Sequence, residues 1–254
     1  MLLGNYFYNI NKNYKNFSFS GISFDTKSIK KNNIFFAIKG NSFDGNKFIS
    51  KAIKKGSKII VSSSYIQGFS KNILYLKHDN PRRLLAELSV KINYKRPNNM
   101  IAVTGTNGKS SIVNFYYQIL KLNKKKVASI GTLGVKGIQF KKKIINTTAD
   151  PILLNVLLKN LSEKRINNVI LEASSHGLKQ NRLDGLKFNV GIFTNLSRDH
   201  LDYHKNYNDY LKSKFILFKK LMKRNSNIIF DNDIKLSKKL KKIAKNNKLK
   251  YLTI

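Results

Sequence analysis

Short apolar runs alternate along this chain with longer stretches in which apolar residues recur every three to four positions. The first pattern predicts buried strands and the second amphipathic helices. Before Pro97 the runs predict strands over Ile34–Ile38, Lys58–Val61 and Ile73–Leu76. Helices are expected around Lys47–Lys55 and over Pro81–Ile92, where Pro81 suits a first helical turn. The polar stretch Asn93–Asn99, with Pro97, reads as a linker. Beyond it strands are expected over Ile101–Thr104, Lys126–Ile130, Asn168–Leu171, Asn189–Phe193 and Asn227–Phe230. Helices are expected over Ser110–Leu122, Pro151–Glu163 and Tyr207–Leu221, then a last helix and the strand-like Leu249–Ile254. Strands alternating with helices predict an α/β fold. The expected organisation is a small α/β domain over residues 1–97 and a parallel-sheet domain over 98–254. No internal repeat is present. Because the last residues read as a strand, the expectation is that the sequence ends inside that second domain.

The junction between the strand ending at Thr104 and the helix after it reads Thr104-Gly-Thr-Asn-Gly-Lys-Ser-Ser111. Glycines let backbone N–H groups approach phosphate oxygens, and the N-terminus of the following helix adds partial positive charge. Lys109 would reach the terminal phosphates and Ser110 would ligate the Mg²⁺ they carry. The usual G-x-x-x-x-G-K-[ST] pattern is not met literally: Val103 stands where its first glycine belongs, and Gly105 takes over that task. The strand before and the helix after fit the mechanism, so the sequence predicts an ATP site.

Composition narrows the classes. The chain has 254 residues, enough for a substantial core, and 41% of them are hydrophobic. It contains no cysteine, which excludes disulfides and thiolate metal sites. The first residues turn polar too early for a signal peptide and no apolar stretch would span a bilayer, so a cytoplasmic location with no membrane partner is expected. Lys and Arg number 49 against 13 Asp and Glu, a net charge of +36. Such charge suits nucleic acid, but the lysines are spread through every segment, and the richness in Lys, Asn, Ile, Phe and Tyr is the vocabulary of an AT-rich genome. No dedicated nucleic-acid partner is expected. The charge does attract anionic substrates at low salt.

In a parallel sheet, ligands bind outside the carboxyl ends of the strands. Three such ends carry polar clusters: the phosphate loop, Leu171-Glu-Ala-Ser-Ser-His-Gly177, and Thr194-Asn-Leu-Ser-Arg-Asp-His-Leu-Asp-Tyr-His204. Their shared placement makes Glu172 and His200 candidate Mg²⁺ ligands beside Ser110.

At this point the chain resembles the Mur ligases, most closely the branch that adds the third residue of the peptidoglycan stem peptide. The likeness rests on Asp25-Thr-Lys27, Ile34-Phe-Phe-Ala-Ile-Lys-Gly40 and Asp44-Gly45, then the phosphate loop and Asn146-Thr-Thr-Ala-Asp-Pro151. It continues through Glu172-Ala-Ser-Ser-His-Gly-Leu178 with Gln180 and Arg182, the Thr194–His204 cluster, and Tyr210-Leu-Lys-Ser-Lys-Phe-Ile-Leu-Phe218. It runs in order over nearly the whole chain. The resemblance implies that ATP phosphorylates the free D-Glu carboxylate of UDP-MurNAc-L-Ala-D-Glu. The amine of a diamino acid, meso-diaminopimelate or L-lysine, then displaces phosphate to form an amide. A carboxylate is a poor acyl donor because its leaving group is oxide, and phosphorylation supplies a good one. Cations must screen the two anions that meet: Lys109 and two Mg²⁺ ions.

Carried over by position, Thr104, Gly105, Thr106, Asn107, Gly108, Lys109 and Ser110 match the family's ATP contacts. Ser110 and Glu172 match one metal site, and His200 with Glu172 the second. Lys214 matches the lysine that reacts with CO₂ to form a carbamate, which helps hold the second metal. Phe24 and Thr26, with the segment Asn41, Ser42 and Phe43, match contacts to the uridine end. Asn146, Thr147, Thr148, Ser174, Gln180 and Arg182 match contacts to the muramoyl dipeptide; Arg182 has the fork for a carboxylate or phosphate.

There are departures. Lys27 stands where the family usually has arginine, which keeps the charge and loses the bidentate fork. Ser110-Ser111 replaces common threonines and keeps the ligating hydroxyl. Asp79-Asn-Pro-Arg82 reads like the family's diaminopimelate-selecting motif, but that motif belongs to a C-terminal domain, so it carries no amino-acid preference here. The family has a third, C-terminal domain that binds the incoming amino acid. The expectation is that this chain lacks it, is C-terminally incomplete, and does not complete the reaction alone; a full-length enzyme is expected to be a monomer. The competing readings are a folylpolyglutamate synthase, against which the Asn146-Thr-Thr block argues, a basic nucleic-acid-binding ATPase, and a remnant that only binds the UDP-sugar.

Overall fold

A computed structural model of the chain describes residues 1–8, 10–40, 43–65, 67–139, 146–200 and 202–254. They form two compact units, Met1–Ile92 and Asn93–Ile254.

In the first unit, β1 (Gly21–Ser23), β2 (Asn33–Phe36), α1 (Ile49–Lys54), β3 (Ile59–Ser62), β4 (Gly68–Ser70), β5 (Ile73–Lys77) and α2 (Pro81–Ile92) follow in order. The strands form one sheet in the order β1-β2-β3-β5-β4. All neighbours are parallel except β4 and β5. The buried runs of β2 and β3 pack with α1 through Phe35, Ala37, Ile49, Ala52, Ile60 and Ile73. The Asp79–Arg82 segment has a plain structural task. Asn80 Oδ1 accepts from Arg83 N at 3.0 Å, and Pro81 opens α2 with no N–H to lose. Arg82 Nη2 donates to the Lys39 carbonyl at 3.3 Å.

The second unit contains β6 (Asn99–Thr104), α3 (Lys109–Leu122), β7 (Val127–Gly131), β8 (Gly134–Lys136), α4 (Pro151–Glu163) and β9 (Asn168–Glu172). It continues with α5 (Ser175–Lys179), β10 (Phe188–Phe193), α6 (Tyr207–Lys220), β11 (Met222–Phe230), α7 (Ser237–Asn246) and β12 (Lys250–Thr253). The sheet order is β12-β11-β10-β6-β9-β7-β8. Central β6 is flanked in parallel by β9 and β10. Its apolar run meets α3 through Ile101, Val103, Val113 and Ile170. Helix α4 is the best-signalled helix. Asp150 caps it, accepting from Leu153 N at 2.9 Å, Pro151 opens it, and Leu154, Leu157, Leu158 and Leu161 recur at helical spacing and are buried.

Four short elements were not expected: β1, β4, β8 and α5. Each spans three to five residues, too few for a period to show. Two of them, β4 and β8, are antiparallel edge strands on otherwise parallel sheets. Strand β11 begins at Met222, ahead of the expected Asn227, because its first half is Lys223-Arg-Asn, which carries no apolar signal.

Candidate active site

The loop from Thr104 to Ser110 leaves the carboxyl end of β6 and enters α3. Gly105 has φ +150°, and a Cβ there would lie 1.8 Å from Thr194 Oγ1, so only glycine fits. Gly108, φ +82°, forms the N-cap of α3 in the left-handed region. The residues just after β10 hold the loop's shape. Thr106 N donates to the Asn195 carbonyl at 3.0 Å and Asn107 N to Asn195 Oδ1 at 2.9 Å. Thr194 Oγ1 donates to the Asn107 carbonyl at 2.6 Å. The Thr106 and Tyr210 hydroxyls are 3.0 Å apart.

Two lysines converge on this loop. Lys109 Nζ donates to the carbonyls of Gly105 at 3.1 Å and Thr106 at 2.7 Å. Lys214 Nζ, on α6, donates to the same Gly105 carbonyl at 2.6 Å. Lys214 is 1% exposed, and its ammonium lies 4.2 Å from the Tyr210 ring centroid. Burial above all, and then the positive Lys109, push the Lys214 pKa down to about 7, while Asp199 pulls it up. Lys109 is lowered too, by burial, against the opposing pull of Glu172 and Asp199.

Glu172 ends β9, the strand beside β6, and is 2% exposed. Its Oε1 accepts from Ser110 Oγ at 3.0 Å and from Thr132 N at 2.9 Å, and its Oε2 from Thr132 Oγ1 at 3.1 Å. Ser110 and Glu172 thus present a hydroxyl and a carboxylate together at the helix N-terminus, the hard oxygen donors that Mg²⁺ takes. The segment after residue 145 joins the same edge. Thr148 Oγ1 donates to the Glu172 main-chain carbonyl at 2.9 Å and accepts from Ser174 N at 2.9 Å. Arg182 Nη1 donates to the Thr148 carbonyl at 2.6 Å, and its Nε and Nη2 fork onto Gln180 Oε1 at 3.1 and 2.7 Å.

A profile of the Mur ligase middle domain matches residues 103–254, and one described as the Mur ligase family catalytic domain matches residues 18–105. The chain belongs to the Mur ligase family. It is 38% identical over 253 residues to the UDP-N-acetylmuramoyl-L-alanyl-D-glutamate--2,6-diaminopimelate ligase of Rickettsia prowazekii (strain Madrid E), covering 97% of this chain and 52% of that protein. A solved structure of a UDP-N-acetylmuramoyl-L-alanyl-D-glutamate--2,6-diaminopimelate ligase matches with TM-score 0.84 and 26% identity over 100% of this chain and 52% of that one. The MurF ligase from Thermotoga maritima in complex with ADP shares the fold, with TM-score 0.59 and 19% identity over 91% of this chain and 49% of that one. The chain spans about half the length of the curated relatives it matches.

Within this Mur ligase, the structure brings together Ser110 with Glu172, Lys109 with Lys214, and Thr148 with Ser174 and Arg182. His200 stands apart from the first pair. Its ring packs edge-on against His176 at 4.8 Å between centroids, and its Nε2 is 3.5 Å from Asp199 Oδ2. Among the described residues no hydrogen bond joins His200 to Ser110, Glu172 or Lys214, and no three His, Asp or Glu side chains form a ready metal cluster. Asn146 is exposed at the start of its segment. In the first unit Phe24 and Phe43 are exposed, whereas Thr26 is buried and its carbonyl accepts from Lys55 Nζ at 2.8 Å. Asn41 and Ser42 lie outside the described residues.

Sequence reasoning gave no role to Thr132, Thr194, Asn195 or Tyr210, which shape the loop and hold Glu172. Thr194 and Asn195 sit in a cluster it did recognise. Thr132 directly follows β7, and the strand-end rule applied there would have found it. His204 is another omission. It is 1% exposed, neither ring nitrogen has a hydrogen-bond partner among the described residues, though Nδ1 lies 3.6 Å from Asp209 Oδ2, and burial, then Lys179, lowers its pKa to about 4 against the pull of Asp209. It is therefore neutral at pH 7 and fills space beside Tyr210.

Proposed function

We propose that this chain carries the nucleotide and UDP-sugar sites of an ATP-dependent amide ligase of peptidoglycan precursor synthesis. The ligase would join a diamino acid to UDP-N-acetylmuramoyl-L-alanyl-D-glutamate, and the relatives' names favour 2,6-diaminopimelate over L-lysine. The observation that carries the reading is the contact of Ser110 Oγ with Glu172 Oε1, 3.0 Å apart at the N-terminus of α3, beside two lysines on one loop carbonyl.

Backbone N–H groups of the Thr104–Ser110 loop bind the ATP phosphates. Lys109 exchanges its two carbonyl partners for terminal phosphate oxygens and neutralises charge where the γ-phosphoryl group transfers. The D-Glu carboxylate oxygen attacks the γ-phosphorus and ADP leaves. The diamino acid's amine then attacks the acyl carbon, phosphate leaves, and the amine gives up a proton. Ser110 and Glu172 fit Mg²⁺, which when bound would polarise the phosphoryl oxygens. Lys214 fits carbamate formation: the free amine attacks CO₂ and releases a proton, and a lysine with pKa about 7 has much of that free amine at neutral pH. As a carbamate it would join His200 and Glu172 at the second metal. Asn146, Thr147, Thr148, Ser174, Gln180 and Arg182 would contact the muramoyl dipeptide, and Phe24, Thr26, Asn41, Ser42 and Phe43 the uridine end. Both nucleotides are water-soluble anions, which suits a cytoplasmic enzyme.

Calorimetric titration of the purified chain tests this. A Mg²⁺-dependent nucleotide signal that Glu172→Gln abolishes, together with binding of UDP-MurNAc-L-Ala-D-Glu, is the expected result. Absence of both, or ATP hydrolysis stimulated by DNA, overturns the reading and favours the nucleic-acid alternative.

A further inference from the structure

Thr132 makes more contacts to the Glu172 carboxylate than any other described residue, yet it belongs to none of the recognised motifs. Its N–H and its hydroxyl bind different carboxylate oxygens, at 2.9 and 3.1 Å. Together they restrain both position and rotation of the carboxylate. The residue before it makes room: a Cβ on Gly131 would lie 2.3 Å from Glu172 Oε1. The Thr132 hydroxyl is also 3.3 Å from Thr147 Oγ1. The single Thr132 hydroxyl proton therefore faces two acceptors, Glu172 Oε2 and the Thr147 hydroxyl oxygen. Thr148, the next residue, donates to the Glu172 main-chain carbonyl at 2.9 Å. The Thr147–Thr148 segment therefore meets Glu172 twice, once through the bond from Thr148 to its main-chain carbonyl and once at the Thr132 hydroxyl, which its carboxylate shares with Thr147.

We propose that Thr132 is a positioning residue that holds Glu172 toward Ser110 and couples the metal side of the site to the UDP-sugar segment through Thr147. This rests on the assignment of Ser110 and Glu172 as metal ligands. A ligand that engages the Thr147 hydroxyl changes its competition with Glu172 for the Thr132 proton, and so the restraint on Glu172. Partners that orient a metal-ligating carboxylate change metal affinity by about 10–100-fold when removed.

The test uses the full 254-residue chain as wild type, Thr132→Val and Thr132→Ser. Valine keeps the branched shape and the backbone N–H at this exposed position and removes only the hydroxyl. Mn²⁺ affinity in the presence of ADP is measured by electron paramagnetic resonance, with and without UDP-MurNAc-L-Ala-D-Glu, and metal-free ADP affinity by calorimetry. Crystal structures of each variant report the Glu172 side chain. The expected result is a drop of about 10–100-fold in Mn²⁺ affinity for the valine variant, unchanged metal-free ADP affinity, and no response of Mn²⁺ to the UDP-sugar. Serine restores all three. Wild-type Mn²⁺ affinity in the valine variant, with Glu172 still on Ser110, overturns the proposal. If the wild-type chain takes up no Mn²⁺ with ADP, the metal assignment fails and the coupling proposed here falls with it. The crystal structures then still report whether Thr132 holds Glu172.

Discussion

Lys109 and Lys214 donate to one and the same acceptor, the Gly105 carbonyl, at 3.1 and 2.6 Å. Burial lowers the pKa of each, and the positive Lys109 lowers that of Lys214 further. The buried one, Lys214, carries the larger consequence.

Lys214 has a folded-state pKa of about 7 against 10.5 for an ordinary lysine. Between those values the unfolded chain binds the proton that the folded chain has released. Stability therefore rises with pH across that window and loses this increment as pH falls back through about 7. Denaturant unfolding at pH 7 and pH 9 should show wild type gaining stability relative to Lys214→Met, whose profile lacks this increment. Parallel profiles would show that Lys214 titrates normally.

Lys214→Ala should also remove ligase turnover in the complete enzyme while leaving UDP-sugar affinity within about twofold, because no described muramoyl-side residue contacts it and independent sites add. Near-normal turnover in a folded mutant would remove Lys214 from the chemistry.

Gly105→Ala should destabilise the loop severely. The substitution combines φ +150° with a Cβ placed 1.8 Å from Thr194 Oγ1. A backbone conformation of this kind alone costs about 1–3 kcal/mol. Thr194→Ala removes the clashing hydroxyl, so the double mutant should recover part of the loss in a double-mutant cycle. Additive losses would mean that the clash is relieved by loop movement instead.

Arg182→Lys should weaken binding of the UDP-muramoyl dipeptide and leave nucleotide affinity unchanged. Lysine keeps the charge but cannot reach the Thr148 carbonyl and fork onto Gln180 Oε1 together. Each of these internal charged hydrogen bonds contributes about 1.5–3 kcal/mol to local order, and titration should show UDP-sugar affinity falling as that order is lost. Equal affinity would place the substrate elsewhere.

Much of this protein was determined locally. The helices α2 and α4 begin and end where proline, a capping side chain and apolar spacing say they should, because those signals act within one or two turns. The phosphate loop was equally legible, since its glycines, Lys109 and Ser110 are consecutive. Tertiary structure decided which distant groups meet. Strand order puts β9 between β6 and β7, and that alone sets Glu172 between Ser110 and Thr132. Burial of Lys214 against Tyr210 is likewise invisible in a chain with 49 basic residues. Helix caps and loops are written in neighbouring residues. Sheet order and desolvation depend on contacts between segments tens of residues apart, and no local pattern encodes them.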